Sequence, residues 1–351
     1  MRVVKPNVLL ITLDQFRGDC LSSAGHKIVR TPNLDELARN GVRLANHFSQ
    51  AAPCSPGRAS LYTGTYQMNH RVVANGTPLD DRFDNVARMA LRAGYEPTIF
   101  GYTDQGVDPR TTQSGDDPRL STYQGVLPGF NRVLNLSEPY PPWIDHLKQH
   151  GFDFGDDYNN ALRTEPDRHE DLSISTFLTD EFFKWLDHQE PIKEKLGFFD
   201  ASYRIIGIVR DPNNPHTHGT TIEEFTENVD IMPTIAEAIG VPVPLQCDGA
   251  PLTDFLRGIT PTRWRNGATY EYDWRHIYID DSEQGAANNW PRDRRLERQH
   301  LTVRRTKDAA YVQFGDGSWL AFDLALDPTW RTTFDDPKRV LPLAQEMLLW
   351  R

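Results

Sequence analysis

The N-terminal part of the sequence alternates apolar runs with amphipathic helical segments, and this order constrains the fold more than any other feature. Residues 7–13 are apolar and end in Asp14-Gln15, as expected of a buried parallel strand that delivers polar side chains at its carboxyl end. A helix is predicted to open at Thr31-Pro32-Asn33 and to close at Asn40-Gly41, and a strand follows over residues 42–48. The order predicts an α/β fold with a mostly parallel sheet flanked by helices.

The same alternation continues along the chain, with one interruption. Residues 104–168 are rich in Asp, Pro, Gly and Asn, which is typical of an irregular excursion that forms a rim or lid. Elsewhere, apolar residues recur at helical or strand spacing. The further predicted elements are helices over residues 59–66, 86–93, 172–188 and 228–239 and strands over residues 97–102 and 205–210.

The C-terminal part carries short alternating runs that predict a small antiparallel sheet. We therefore expect an α/β domain over residues 1–268 and an antiparallel C-terminal subdomain over residues 269–351. The predicted strands are Tyr270 to Tyr272, His276 to Ile279, Leu301 to Arg305, Ala310 to Phe314 and Trp319 to Leu324.

The charge balance narrows the class of partner. The chain has 351 residues, with 38 Lys and Arg against 49 Asp and Glu, and its net charge of -11 gives no field that would recruit nucleic acid or an anionic membrane surface. The apolar run at residues 8–13 is too short to span a bilayer and is not read as a signal peptide, so we expect a soluble cytoplasmic protein. The three cysteines are too few for a disulfide framework or a Cys-rich zinc site.

The strongest chemical signal is the segment Cys54-Ser55-Pro56-Gly57-Arg58, which precedes a predicted helix. A thiol beside Arg58 and a helix amino terminus has its anionic form favoured, and the same backbone N–H groups and guanidinium can hold a tetrahedral oxyanion. The alternative is a buried structural cysteine in a Pro-rich turn.

These residues resemble the signature of the sulfatase family of the alkaline phosphatase superfamily, in which Cys-x-Pro-x-Arg is followed by Leu-x-Thr-Gly. The residues of the signature are most similar to those of the phosphonate monoester hydrolase and phosphodiesterase branch. Similar segments occur along nearly the whole chain: Pro6 to Ile11, Thr31 to Asp35, Asn228 to Thr234, Phe322 to Leu324 and Asp327-Pro328.

The resemblance implies a mechanism and a set of site residues. Cys54 is the position that a formylglycine-generating enzyme converts to formylglycine, whose hydrated form supplies the nucleophile, and Arg58 is its anchoring cation. Asp14 and Cys54 are implied ligands of a divalent metal cation, with Mn, Ca, Mg and Zn not distinguished. Gln15 stands where many arylsulfatases carry a second Asp, which favours phosphorus substrates. The implied substrate is a small anionic ester.

Three further residues match substrate contacts of that branch. Asn75 and Tyr102 match positions that contact the substrate's oxygens, and Lys195 matches a lysine that stabilises charge in the transition state. Solvated surface roles are the alternative for all three. Asp104 stands where the branch usually has a hydroxyl residue, which adds a negative charge beside an anionic substrate.

One part of the family pattern is missing. The Asp-His-Gly metal-ligand segment and the histidine near the leaving group have no match, and an internal deletion is predicted near residues 191–195. Asp145-His146 and Asp187-His188 lie in helical patterns, where neighbouring side chains diverge by about 100° and cannot both chelate one ion. His216 and His218 have strand-like spacing but lie in a loop, where solvated histidines are more common.

Two hypotheses therefore stand. The first is a metal- and formylglycine-dependent hydrolase of phosphonate monoesters, phosphodiesters or sulfate esters. The second is a catalytically impaired or inactive member of the same family. Assembly into a homo-oligomer through residues such as Arg292 to Arg298 is a further possibility.

Overall fold

A computed structural model of the chain describes residues 6–13, 16–186, 203–273 and 300–351. The helices in these ranges are α1 (Pro32–Arg39), α2 (Cys54–Thr63), α3 (Gln67–His70), α4 (Val86–Arg92), α5 (Pro141–Gln149), α6 (Tyr158–Arg163), α7 (Ile174–Leu186), α8 (Ile231–Ala238), α9 (Thr253–Leu256) and α10 (Pro337–Trp350). The strands are β1 (Val42–Phe48), β2 (Ala51–Ala52), β3 (Thr98–Phe100), β4 (Asn131–Leu134), β5 (Arg204–Val209), β6 (Thr221–Glu227), β7 (Gly267–Asp273), β8 (His300–Thr306), β9 (Ala309–Phe314) and β10 (Trp319–Asp323). None of these helices combines the length and the apolar composition that crossing a membrane requires.

The described strands form three sheets. Strand β1 is central in the first, where it pairs antiparallel with β5 and parallel with β6. The second sheet has the order β10-β9-β8-β7-β2, antiparallel throughout except for the parallel pair of β2 and β7. Strands β3 and β4 form a parallel pair. The α/β class and the C-terminal antiparallel sheet are thus confirmed, whereas the described strands pair both parallel and antiparallel instead of mostly parallel.

The C-terminal sheet shares a hydrophobic core with the first sheet. Phe48 of β1 and Tyr203 both pack on the Tyr270 ring of β7, with ring centroids 6.0 Å and 4.1 Å from it. Strand β7 begins at Gly267, beside the predicted domain boundary, and β2 joins it from the N-terminal part of the chain. The two predicted regions are therefore packed together through this core. The predicted strand at residues 276–279 lies outside the described residues.

The predicted strand over residues 7–13 is wrong for this structure. These residues have no strand pairing, and the Val8, Leu9, Leu10 and Ile11 side chains are 39–54% exposed. They line a largely apolar cleft of about 720 Å³, which is also bordered by α4, β3, α7 and α8. A buried strand needs neighbours on both edges to hydrogen-bond its backbone, and among the described residues no strand pairs with this segment.

The predicted irregular excursion at residues 104–168 is also wrong in part. It contains β4, α5 and α6, and it has a core of its own around Trp143 and Leu147, both fully buried. Phe177 of α7 joins this core. The loops before β4 stay irregular. Pro and Gly mark the turns between these short elements and do not prevent helices from forming between them.

A buried ion-pair network joins β6, α8 and β7. The Arg265 guanidinium donates to the Asp230 carboxylate and lies 3.3 Å from Glu227 Oε2, and both carboxylates are almost fully buried. Tyr66 O–H donates to Glu227 Oε2 at 2.6 Å, and the Thr269 N–H donates to Glu227 Oε1 at 2.8 Å. The Asn228 to Thr234 segment matched from the sequence therefore supplies a structural carboxylate that ties the sheets together.

Candidate active site

Helix α2 begins at Cys54, directly after the short strand β2. Gly57 lets the first turn of α2 lie close against residues 49–51, because a Cβ there would lie 2.8 Å from the Ala51 carbonyl oxygen and 2.9 Å from Ser49 Oγ. The helix ends at Gly64, whose φ of 69° lies in the left-handed region. The predicted helix start at residue 59 is therefore five residues late, and Cys54 is the first helical residue. The thiol thus lies at the amino end of a ten-residue helix, which is the positive end of the helix dipole.

The second element of the site is the Arg58 guanidinium. Arg58 is four residues after Cys54, so the two side chains share a face of α2. Arg58 Nε lies 3.1 Å from Asp104 Oδ2, and Nη1 donates to the Tyr102 carbonyl oxygen at 3.3 Å. The guanidinium carbon also lies 5.4 Å from the Tyr102 ring centroid. These contacts fix the guanidinium beside the helix amino terminus.

Two amide side chains hold the first turn of α2. The Ser55 N–H donates to Asn75 Oδ1 at 3.0 Å, and Gln105 Nε2 donates to the Ser55 carbonyl oxygen at 2.7 Å. Ser55 Oγ is buried and has no hydrogen-bond partner among the described residues. Sequence reasoning did not find Gln105, because its partner is 50 residues away and no local pattern marks it. The sequence signal available for this loop was Asp104, the residue before Gln105, where the chain departs from the family pattern.

The segment before Asp14 reaches the same neighbourhood. Burial raises the pKa of the Tyr62 phenol, whereas the Arg58 charge and hydrogen bonds with Thr12 and Arg58 lower it. Tyr62 on α2 therefore contacts both Thr12 and Arg58. Thr12, which is two residues before Asp14 in the sequence, thus lies beside the site.

A smaller pocket opens beside the site. It has a volume of about 300 Å³, and its walls include Gly76, next to Asn75, and Tyr123. Its walls also include Gly106, so two lining residues directly follow Asn75 and Gln105, whose side chains hydrogen-bond Ser55. The pocket therefore borders the loops that hold the first turn of α2. Burial raises the pKa of Tyr123, and the charges of Glu138, Asp104 and Cys54 raise it further.

Four of the predicted site residues thus lie around the start of α2: Cys54, Arg58, Asn75 and Tyr102. The other three predicted positions, Asp14, Gln15 and Lys195, lie outside the described residues, as does the deletion near residues 191–195.

The described part of the chain has no group of three or more His, Cys, Asp or Glu side chains that could hold a metal ion. A hard divalent cation takes six or more oxygen ligands in proteins, so the described donors alone do not fit one. His216 Nε2 and His218 Nε2 each bond a backbone carbonyl oxygen, of Arg257 and Asp211. His146 is on α5, as predicted.

Comparison with known proteins identifies the family. The sulfatase family model matches residues 6–195, more than half of the chain. The chain belongs to the sulfatase family. The family model described as "N-sulphoglucosamine sulphohydrolase, C-terminal" matches residues 192–285. The two matches meet at the position where the sequence predicts the internal deletion.

Two solved structures resemble the whole chain. The phosphonate monoester hydrolase of Agrobacterium radiobacter has a TM-score of 0.86 and 30% identity, over 99% of this chain and 95% of that one. The phosphonate monoester hydrolase SpPMH of Silicibacter pomeroyi has a TM-score of 0.87 and 25% identity, over 98% and 95% of the two chains. The predicted likeness to this branch is thereby confirmed.

Two similar sequences extend the comparison. The multifunctional alkaline phosphatase superfamily protein PehA of Trinickia caryophylli is 26% identical over an alignment that spans 99% of this chain and 96% of PehA. An arylsulfatase of Clostridium perfringens is 28% identical over 200 residues, which are 54% of this chain and 41% of that protein. The chain is thus a relative of phosphonate monoester hydrolases and arylsulfatases.

The PehA alignment also measures what this chain lacks. It has 498 positions, whereas this chain has 351 residues, so at least 147 aligned positions have no residue from this chain. Since the alignment spans nearly all of both proteins, most of these positions are internal. A shortfall of this size is enough for several strands and their connections.

Proposed function

We propose that this chain hydrolyses phosphonate monoesters, phosphodiesters or sulfate esters, with Cys54 as the position of the nucleophile. The observation that carries the proposal is the pairing of Cys54 at the amino terminus of α2 with the Arg58 guanidinium on the same helix face. A helix amino terminus and a fixed guanidinium both stabilise a tetrahedral oxyanion. The likeness to two phosphonate monoester hydrolase structures supports phosphorus esters as the substrate class.

In this proposal the residues around α2 bind and orient the ester. Arg58 donates to the non-bridging oxygens, and the N–H groups of the first helical turn add their dipole. Asn75 and Tyr102 contact the same oxygens, and Lys195 stabilises the charge that develops in the transition state. The pocket of about 300 Å³ beside Tyr123 takes the organic group of the ester. The roles of Arg58, Asn75 and Tyr102 rest on the family pattern and on their positions around the start of α2, and that of Lys195 rests on the family pattern alone. The role of the pocket rests on its place beside Asn75.

Two groups that the family implies would complete this chemistry. When a formylglycine-generating enzyme converts Cys54, the hydrated formylglycine supplies a geminal hydroxyl as nucleophile. Cys54, a half-buried residue at the amino end of α2, fits that group. A divalent cation would need Asp14 and further oxygen ligands from outside the described residues, and no step here depends on it.

A second candidate function is an anion-binding protein without turnover. The shortfall of at least 147 positions against PehA and the missing Asp-His-Gly segment favour it. In that case Arg58 and α2 still bind a tetrahedral anion, but nothing activates a nucleophile. The two candidates differ in turnover and agree in binding.

The test is to produce the chain with and without a formylglycine-generating enzyme and to measure three quantities. They are the intact mass of the peptide that contains Cys54, the content of divalent metal, and the hydrolysis of p-nitrophenyl phenylphosphonate, bis(p-nitrophenyl) phosphate and p-nitrophenyl sulfate. Hydrolysis that requires co-production and is lost in Cys54→Ala supports the proposal. Cys20→Ala is the matched control, because that thiol lies outside α2.

Two outcomes separate the candidates. An unmodified thiol at Cys54 after co-production, with no hydrolysis of any of the three esters, refutes the enzyme. Retained binding of inorganic phosphate that Arg58→Met abolishes would then favour the binding protein.

A further inference from the structure

The carboxylate of Asp104 lies inside the candidate anion site. Its side chain is 3% exposed, and Oδ2 lies 3.1 Å from Arg58 Nε, whose own side chain is 15% exposed. Asp104 has a φ of 55°, in the left-handed region, so its backbone adopts a conformation that few residue types other than Gly, Asn and Asp favour. Its neighbours in sequence also face the site, because the Tyr102 carbonyl accepts from Arg58 and Gln105 donates to Ser55. A fixed negative charge thus accompanies the fixed positive charge of Arg58.

From this pair we infer that Asp104 is a specificity-determining residue, which makes the site favour singly charged tetrahedral anions over doubly charged ones. The inference rests on the proposed function and deepens it, since it concerns the charge of the substrate. Asp104 offsets much of the attraction that Arg58 exerts on an anion, and it repels a dianion twice as strongly as a monoanion. Esters such as phosphodiesters and sulfate monoesters carry one charge, whereas phosphate monoesters carry close to two at neutral pH.

The Coulomb energy between two charges is proportional to their product, and this gives a quantitative signature. If removing the Asp104 charge raises the affinity for a monoanion by a factor F, it raises the affinity for a dianion in the same position by about F squared. A residue that only positions Arg58 would act in the opposite direction: its loss would loosen the guanidinium and lower both affinities. A gain for both anions that is larger for the dianion therefore indicates a charge effect, and a loss for both indicates a positioning effect.

Asp104→Asn is the suitable variant. Asn keeps an oxygen that accepts the Arg58 Nε–H, and Asn tolerates a positive φ about as well as Asp does. Asp104→Ser is a second variant in case the first does not fold. Asp116→Asn is the matched control, because Asp116 is an exposed carboxylate further along the same chain segment, and its loss changes the net charge equally.

The probes are methyl sulfate and sulfate, a monoanion and a dianion whose charges do not change near neutral pH. Their dissociation constants are measured by calorimetric titration of the unmodified protein. We expect Asp104→Asn to raise the affinity for methyl sulfate about threefold and that for sulfate about tenfold, and Asp116→Asn to change neither by more than about twofold. Adding Arg58→Met to Asp104→Asn should remove both gains.

The inference is overturned if the two affinities rise by the same factor, if neither rises, or if no variant binds either anion. It is independent of turnover. A chain that hydrolyses no ester but shows the unequal gains refutes the proposed enzyme and supports the role of Asp104. A chain that hydrolyses esters while Asp104→Asn leaves the selectivity unchanged refutes only the role of Asp104.

Discussion

Replacing Arg265 by Met tests the buried ion-pair network at its centre. Met keeps much of the aliphatic volume but leaves the Glu227 and Asp230 carboxylates, which are 1% and 0% exposed, without their cation. Removing one partner of a buried ion pair costs about 3–5 kcal/mol, because the remaining charge stays desolvated. We therefore expect the free energy of unfolding, from urea titration at pH 7.5, to fall by about that amount.

The matched control is Arg257→Met. Arg257 is 53% exposed and lies 3.6 Å from an equally exposed Asp254, so its loss should cost less than about 1 kcal/mol. The triple variant Glu227→Gln, Asp230→Asn, Arg265→Met removes all three charges and should recover part of the loss. Equal losses from the Arg265 and Arg257 variants, or a loss at Arg265 below about 1 kcal/mol, contradict the reasoning.

The pH dependence of the Arg265 variant supplies a second check. Burial raises the pKa of Glu227, and the Arg265 charge opposes that rise, so its removal raises the pKa further. A carboxyl group whose pKa is higher in the folded state contributes its stability below the unfolded value of about 4.3 and loses it as pH rises through the folded value. The penalty of Arg265→Met should therefore shrink as pH falls from 7.5 towards 5. A penalty that grows over this interval is incompatible with a buried unpaired carboxylate.

Three further variants address the helix, the cleft and the buried histidine. Gly57→Ala should cost about 1–3 kcal/mol because its Cβ would lie 2.8 Å from a backbone carbonyl oxygen, whereas Gly115→Ala, with nothing within 4 Å, should be neutral in the same urea titration. Leu9→Ala should cost less than about 1 kcal/mol because Leu9 is 54% exposed, against about 2–5 kcal/mol for Leu21→Ala at 2%; equal costs would indicate a packed strand at residues 7–13. Burial lowers the pKa of His70 to about 3. Its contribution to the free energy of unfolding is therefore lost as the pH falls below about 6.5, by roughly 1.4 kcal/mol per pH unit. His70→Gln should remove this pH dependence.

The elements with local signals could be predicted closely. The helix α1 was expected between Thr31 and Asn40 and spans Pro32–Arg39, and the predicted strand at residues 42–48 matches β1. Helix capping by Pro and Asn and the alternation of apolar residues are decided within a few neighbouring positions. Most C-terminal strands were found for the same reason, because a meander pairs segments that are close in sequence.

The elements that depend on distant partners could not be predicted. Strand β6 has the sequence of a polar segment, with Thr and Glu at five of its seven positions, yet β1 pairs with it in parallel. The contact of Arg58 on α2 with Asp104 and that of Glu227 with Arg265 each join residues about 40 positions apart. The resemblance marked Arg58 and Asp104 singly but did not pair them, and Glu227 and Arg265 resemble ordinary exposed charges in the sequence.

The region around Cys54 and Arg58 has the predicted local structure, whereas the predicted strand at residues 7–13 is not formed, and this difference has a structural reason. The half around Cys54 and Arg58 depends on α2 and on the loops at Asn75 and residues 102–105, whose contacts lie within the described chain. The half that begins at residues 7–13 depends on neighbouring strands, and among the described residues no strand pairs with this segment, which borders an open apolar cleft. The proposed binding of a tetrahedral anion uses only the first half, whereas the proposed in-line attack also uses residues of the second half. The variants at Arg58 and Asp104 therefore test binding in this chain independently of turnover.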